Sequence, residues 1–291
     1  MKVELSFREN VPLKDYCTFG IGGPARYFLE VRSVEEMQQA VAYCHAKNIP
    51  YMVIGKGSNC LFDDQGFNGA VILNKIEFCH ETQPGTFHVG AGYSFALIGV
   101  QTARKGWGGL EFASGIPATV GGAVFMNAGA NGKDTSQTLH SVDYVDAEGI
   151  LKTLPRSELA YAYRSSPFQK MKGAIVAATF VLQANPEARQ KQIEIVNYRK
   201  KTQPYGSKSA GCVFLNPECG HAGALIEKCS LKGVTAGGAQ VSEMHANFLI
   251  NTGGATCADM HALIHLVRQT VKEQTGIDLH SEVRYIPYED A

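Results

Sequence analysis

Neither sign of charge predominates in this chain, where 27 lysines and arginines are matched by 27 aspartates and glutamates. Without a net field there is nothing to gather a polyanion by counterion release or to hold an acidic membrane surface, so neither nucleic acid nor membrane is expected as a partner. Long hydrophobic runs are also missing. The longest, Ala174 to Leu182, falls well short of the roughly 20 residues that cross a bilayer. The opening residues, Met1 to Arg8, are polar and charged where a secretion signal needs an apolar core, which makes the cytoplasm the expected address. The 8 cysteines form no CxxC pair and no short secreted framework; they read as mostly reduced, buried small hydrophobes. No GxxxxGK[ST] loop occurs, and no GxGxxG turn leads into a helix followed by a ribose-binding acid. A P-loop and a Rossmann dinucleotide site are therefore excluded.

What is present is ordinary globular material: 291 residues, 45% hydrophobic and 19% charged, enough for two domains or three small lobes. Arg26 to Val31 reads as a strand. Ser33 then caps a helix from Val34 to Lys47, with Glu36 at the capping-box position, and Tyr51 to Ile54 is the next strand. Strands are expected at Val71 to Leu73, Phe87 to Val89, Val142 to Val145, Ile175 to Leu182 and Asn247 to Ile250. Helices are expected at Ser94 to Lys105, Pro186 to Lys201, Ala222 to Cys229 and Cys257 to Thr275. This mixed order predicts the α+β class.

Two features carry chemistry. The turn Gly55-Lys56-Gly57-Ser58-Asn59 follows a strand, so its consecutive N–H groups suit either a pyrophosphate nest or a plain turn. Between Gly106 and Gly132 glycine and alanine are dense enough for the backbone to approach something flat or highly charged. A third grouping, Cys257, His261 and His265, has ligand-type side chains at i, i+4 and i+8 of one helix. Its ends lie about 12 Å apart, too far for one ion, so it reads as a helix face packed on the core, with no metal expected.

Taken together, Thr18-Phe19-Gly20-Ile21-Gly22-Gly23-Pro24-Ala25, the Gly55 to Asn59 turn and Gly115 to Ala130 closely resemble the FAD-binding region of UDP-N-acetylenolpyruvoylglucosamine reductases. Tyr163-Arg164-Ser165-Ser166, Ala210 to Pro217, Val241 to Ala246 and Glu282-Val283-Arg284 resemble that family's substrate segments, so the likeness covers nearly the whole chain in order. It implies a FAD-binding fold of the vanillyl-alcohol-oxidase (PCMH) type over residues 15–190, in lobes of about 15–75 and 76–190, and a smaller α+β substrate domain over 191–291. The shorter branch of the family is expected, without a tyrosine-bearing insertion, acting as a monomer in peptidoglycan precursor synthesis.

The resemblance also assigns roles. FAD, held without a covalent bond because no histidine flanks the Gly57 turn, falls to Gly22, Gly55, Gly57, Ser58, Asn59, Gly115, Ile116, Thr119, Gly121, Gly122, Asn127 and Ala128. NADPH is the co-substrate, and UDP-N-acetylglucosamine enolpyruvate meets Tyr163, Asn216 and His245. Arg164 is the carboxylate clamp, since a guanidinium offers a planar fork and keeps its charge. Glu282 is the second stabilising group. Cys212 stands where the family usually has a proton-donating serine. Leu215 and Met244 stand where relatives commonly carry lysines, leaving Lys201 or Lys208 to supply the missing cation. Two other readings are open at this point: a different flavin oxidoreductase of the same fold, and a nucleotide-sugar binding protein without catalysis.

Overall fold

The computed structural model describes residues 5–289 of the chain. Strands and helices alternate without a repeating order, which is the expected α+β class, and the residues gather into two compact units. One contains residues 5–9, 27–56 and 69–199; the other contains 10–26, 57–68 and 200–289. Contiguous boundaries at 15–190 and 191–291 do not describe these bodies, and hydrophobic packing gives the reason. Phe19, Ile21 and Leu61 are buried in the same core as Val213, Phe214, Leu249, Met260 and Leu263. The strand Cys60–Phe62 also pairs in parallel with Arg284–Ile286.

The first unit is organised by a five-stranded antiparallel sheet in the order Leu151–Pro155, Leu139–Asp146, Gly173–Val181, Thr86–Gly90 and Cys79–Gln83. Its central strand is the longest apolar run of the sequence, because it is covered on both faces. Ala174 and Val176 face a core shared with Met37, Ala40 and Val41 of the helix Val34–Ala46. Ile175, Ala178 and Phe180 face another, shared with Phe95, Ile98 and Phe112. Ser33 caps the first helix as expected, its hydroxyl accepting from Glu36 N–H at 3.1 Å. The Glu36 carboxylate, however, turns to Arg32 N–H (2.6 Å), so the box closes one residue earlier than the pattern implied. The helix Phe95–Arg104 starts at Ser94, whose hydroxyl accepts from Leu97 N–H. Strand Tyr51–Ile54 runs parallel to Phe67–Asn74 and delivers the chain to the Gly55 turn.

The second unit contains a four-stranded antiparallel sheet in the order Lys208–Cys212, Phe248–Asn251, Ala239–Val241 and Thr235–Ala236. The helix Cys257–Thr275 buries Cys257, Met260, Leu263, Val267 and Val271 in its core. That spacing corrects the reading of Cys257, His261 and His265 as one packed face. Successive i, i+4 steps drift around the helix, so only Cys257 is inside, and exposed His261 meets the edge of the Tyr285 ring at 4.3 Å. The cysteine expectation also needs correction. All eight are free, but only Cys44, Cys229 and Cys257 are buried, while Cys219 is exposed and the rest are half-buried.

The start of this long helix is held from outside it. Asp64 Oδ1 and Oδ2 accept from Cys257 N–H (2.8 Å) and Ala258 N–H (3.2 Å), next to a capping box formed by Thr256 and Asp259. A carboxylate on the orphan N–H groups at the positive end of the helix dipole is favourable. Asp64→Ala is expected to cost about 1–2 kcal/mol, read as a lower thermal or urea midpoint than wild type.

Candidate functional site

In the first unit the Gly55 turn lies directly against the start of the helix Val120–Met126. A Cβ on Gly55 would stand 2.2 Å from Thr119 Oγ1, and that hydroxyl caps the helix by accepting from Gly122 N–H at 3.3 Å. Gly121 N–H donates to Ala91 O at 2.8 Å. Expected flavin residues Gly55, Thr119, Gly121 and Gly122 are thereby brought together. The pocket beside them, about 140 Å³, is lined by Lys56, Lys75, Tyr93 and Ser94 as well as Gly55 and Thr119. Lys56 of the Gly55 turn and the helix cap Ser94, to which the sequence assigned no role at the flavin, approach at 3.5 Å here (Nζ to Oγ). Ser114 Oγ, next to Gly115 and Ile116, is buried with no partner among the described residues.

Asn127 is almost fully buried, adopts a left-handed φ of 45° and spends both ends of its amide on the protein. Nδ2 donates to Ala162 O at 2.9 Å, and Oδ1 accepts from Ser136 N–H at 3.0 Å. Ala128 O accepts from Thr135 twice, through its N–H and its hydroxyl. Asn127 thus joins the glycine-rich segment to the loop carrying exposed Tyr163 and half-buried Arg164. There Arg164 Nη2 donates to Gly129 O at 3.0 Å, and its guanidinium carbon lies 5.1 Å from the Tyr163 ring centre.

In the second unit Gly57 is buried with φ +58°, and a Cβ there would stand 2.3 Å from Tyr16 O. Any side chain would therefore meet both strain and collision. Thr18 N–H approaches Gly57 O (3.4 Å), while the N–H groups of Gly57 and Ser58 meet no acceptor among the described residues. The Thr18 hydroxyl is likewise buried without a partner there. Unsatisfied donors at one glycine turn are what an anionic pyrophosphate would satisfy, so the residues present fit the phosphate part of FAD. Burial pushes the nearby Cys60 thiol up to about 11 and also raises Cys17, so both remain protonated at neutral pH. Gly22 has a packing duty of its own: its Cβ position is 2.7 Å from Phe62 Cβ.

Hydrogen bonds tie the Glu282 segment to Asn59 and to Val213, the residue after Cys212. Asn59 Nδ2 donates to Glu282 O (3.1 Å), and Arg284 N–H donates to Asn59 O (3.0 Å). Glu282 N–H donates to the carbonyl of Val213, the neighbour of Cys212, at 2.7 Å. Cys212 ends a strand whose register with Phe248–Asn251 shifts between Ser209 and Cys212. Gly211, at φ +79°, supplies the left-handed residue that such a bulge uses to re-aim the following side chain. Asn247, only 2% exposed, fixes the segment beyond it through Phe214 N–H (2.9 Å) and Phe214 O (2.8 Å).

The two polar residues expected at substrate have protein partners as well. Asn216 Oδ1 accepts from Ala222 N–H at 3.0 Å, at the start of the helix Ala222–Lys228. His245 Nδ1 accepts from Asn247 N–H at 3.2 Å, with the ring edge-on to Phe248. Of the two candidate substitute cations, Lys208 reaches back over the flavin-type segment, its Nζ 3.3 Å from where a Gly20 Cβ would be.

A family described as the UDP-N-acetylenolpyruvoylglucosamine reductase C-terminal domain matches residues 203–286, and one described as an FAD binding domain matches 25–154. The UDP-N-acetylenolpyruvoylglucosamine reductase of Protochlamydia amoebophila is 60% identical over 289 residues, covering 99% of this chain and 97% of its own. The reductase of Chlamydia trachomatis serovar A is 51% identical, covering 97% of each. The crystal structure of the Thermus caldophilus reductase superposes with a TM-score of 0.83 at 34% identity, covering 98% of this chain and all of that one. The chain therefore belongs to the UDP-N-acetylenolpyruvoylglucosamine reductase family.

Proposed function

We propose that this chain uses non-covalently bound FAD to reduce UDP-N-acetylglucosamine enolpyruvate to UDP-N-acetylmuramate at the expense of NADPH, in peptidoglycan precursor synthesis. The observation that carries this is 60% identity with a named reductase across almost the full length of both chains. Bound FAD would supply the hydride-transfer chemistry between NADPH and the terminal carbon of the enol ether. Buried hydroxyls without a partner among the described residues, Thr18 Oγ1 and Ser114 Oγ, support the presence of a polar ligand beside the glycine-rich segments.

The protein's own groups manage charge and protons. Arg164 pairs with the substrate carboxylate as it becomes enolate-like. The Cys212 thiol gives its proton to the carbon bearing the ether oxygen, and Glu282 stabilises the enol. We place the enzyme in the cytoplasm as a monomer without nucleic-acid or membrane partners. The zero net charge is in keeping with the lack of a polyanionic partner, and no helix among the described residues is long and apolar enough to cross a membrane.

The test is a two-step anaerobic titration. Purified protein is expected to be yellow, to bleach with NADPH and to recover its colour on addition of the enolpyruvyl sugar nucleotide. Acid or heat should release free FAD into the supernatant. Bleaching without recovery would rule out this substrate, and flavin remaining on denatured polypeptide would rule out non-covalent binding.

A further inference from the structure

Arg164 occupies a backbone position that an arginine does not favour. Ala162 and Ser165 exchange N–H to O bonds, both 3.1 Å, closing a two-residue turn around Tyr163 and Arg164. Arg164, the second of these, has φ +54°. A left-handed residue there is normally glycine or asparagine, the types that tolerate it. Apart from Ser230, the other non-glycine residues at positive φ among those described follow this preference, being Asn10, Asn48, Asn127 and Asn131. Backbone strain of this kind persists only where surrounding bonds overdetermine it.

Those bonds converge on Gln169. Its Nε2 donates to Arg164 O at 3.0 Å and to Phe125 O at 3.2 Å. The Phe125 carbonyl, near the end of the helix Val120–Met126, also accepts from Ser166 Oγ at 2.6 Å. Removing the Gln169 amide therefore leaves Phe125 with a partner and takes this one from Arg164. Asn127 fastens the other side of the turn at Ala162 O. We propose that Gln169 is a positioning residue for the reduction: it pins the Arg164 carbonyl so that the turn stays left-handed and the guanidinium is presented beside Gly129. This rests on the reading of Arg164 as the carboxylate clamp. If Arg164 relaxed to the right-handed region, its side chain would leave the peptide in another direction, and the charge would be carried away from the substrate.

The test compares Gln169→Met and Gln169→Glu, similar in size but without the paired N–H donors, with Gln169→Lys, which keeps donors at that reach. Gln169→Met and Gln169→Glu are expected to slow flavin reoxidation by the enolpyruvyl sugar nucleotide about 10-fold, the scale of one lost hydrogen bond. NADPH-driven reduction and the thermal midpoint should stay near wild type, and Gln169→Lys should recover most of the loss. In an Arg164→Gly background, Gln169→Met should change reoxidation by less than about twofold, since the two substitutions act on one element. Normal reoxidation in Gln169→Met and Gln169→Glu beside a defective Arg164→Gly would overturn the proposal. Equal loss in both half-reactions, or failure of Gln169→Lys to recover, would also overturn it by assigning a merely structural role. An unaffected Arg164→Gly would instead refute the clamp on which it rests. Should Gln169→Met fail to fold, the Gln169→Glu and Gln169→Lys pair decides.

Discussion

Replacing Cys212 by alanine is expected to slow reoxidation of the reduced enzyme by the enolpyruvyl ether by about 10² to 10⁴, the usual worth of a positioned proton transfer. Reduction by NADPH should be untouched, because no proton is delivered to the substrate in that half-reaction. An ordinary thiol has a pKa near 8.5, so as a class thiols are mostly protonated at neutral pH and serve as acids. The local backbone supports the role: Gly211 and the register shift before Cys212 re-aim the residue, and Glu282 is hydrogen-bonded to the next peptide. Cys212→Ser retains one transferable proton and should recover much of the rate. Alkylation should inhibit wild type, spare the serine variant and be slowed by substrate. Stopped-flow flavin absorbance separates the half-reactions; normal reoxidation in Cys212→Ala would assign the proton to another group or to water.

Arg164→Lys is expected to lose on the order of 10² to 10³ in the same step, the scale of removing one preorganised donor from a developing anion. The lysine keeps the charge but has no planar fork, and it cannot reproduce both a bond to Gly129 O and a bidentate grip on a carboxylate. Glu282→Gln should show the same asymmetry, with reoxidation damaged and NADPH reduction nearly intact. Comparing the two rate constants for each variant decides the matter. Equal damage to both half-reactions would mean that these side chains support the flavin or the fold, not the substrate.

Elements with local signals were legible in the sequence. Ser33 and Ser94 mark their helices because capping is settled within a few residues. The central strand Gly173–Val181 shows itself as an apolar run because both its faces are buried. Edge strands such as Cys79–Gln83 and Leu151–Pro155 were not legible, since solvent on their faces removes the alternation that would reveal them. The partition of the chain was hidden for a different reason: the burial of Phe19 and Leu61 with Leu249 and Leu263 is a contact across some two hundred residues that no local pattern encodes. Of the candidate site, Arg164, Cys212 and Glu282 are proposals that the resemblance alone supplies. The left-handed turn at Arg164, the bulge before Cys212 and the hydrogen bonds from Gln169 Nε2 to Arg164 O and Phe125 O are conformational facts, and Gln169 belongs to no motif.

The discontinuous make-up of the second unit bears on how the chain is born. Residues 10–26 and 57–68 leave the ribosome early, yet Phe19, Ile21 and Leu61 cannot find Phe214, Leu249 or Leu263 until the last third has been synthesised. Their loops close late and over long separations, which slows folding and leaves apolar surface waiting in nascent chains. A fragment trimmed to 203–286 would omit those three side chains and the Cys60–Phe62 partner of Arg284–Ile286, leaving its core open and a strand edge unpaired. Cutting the gene at the apparent boundary thus yields an aggregation-prone piece, and a faithful half-enzyme requires the early segments to be spliced onto the late ones.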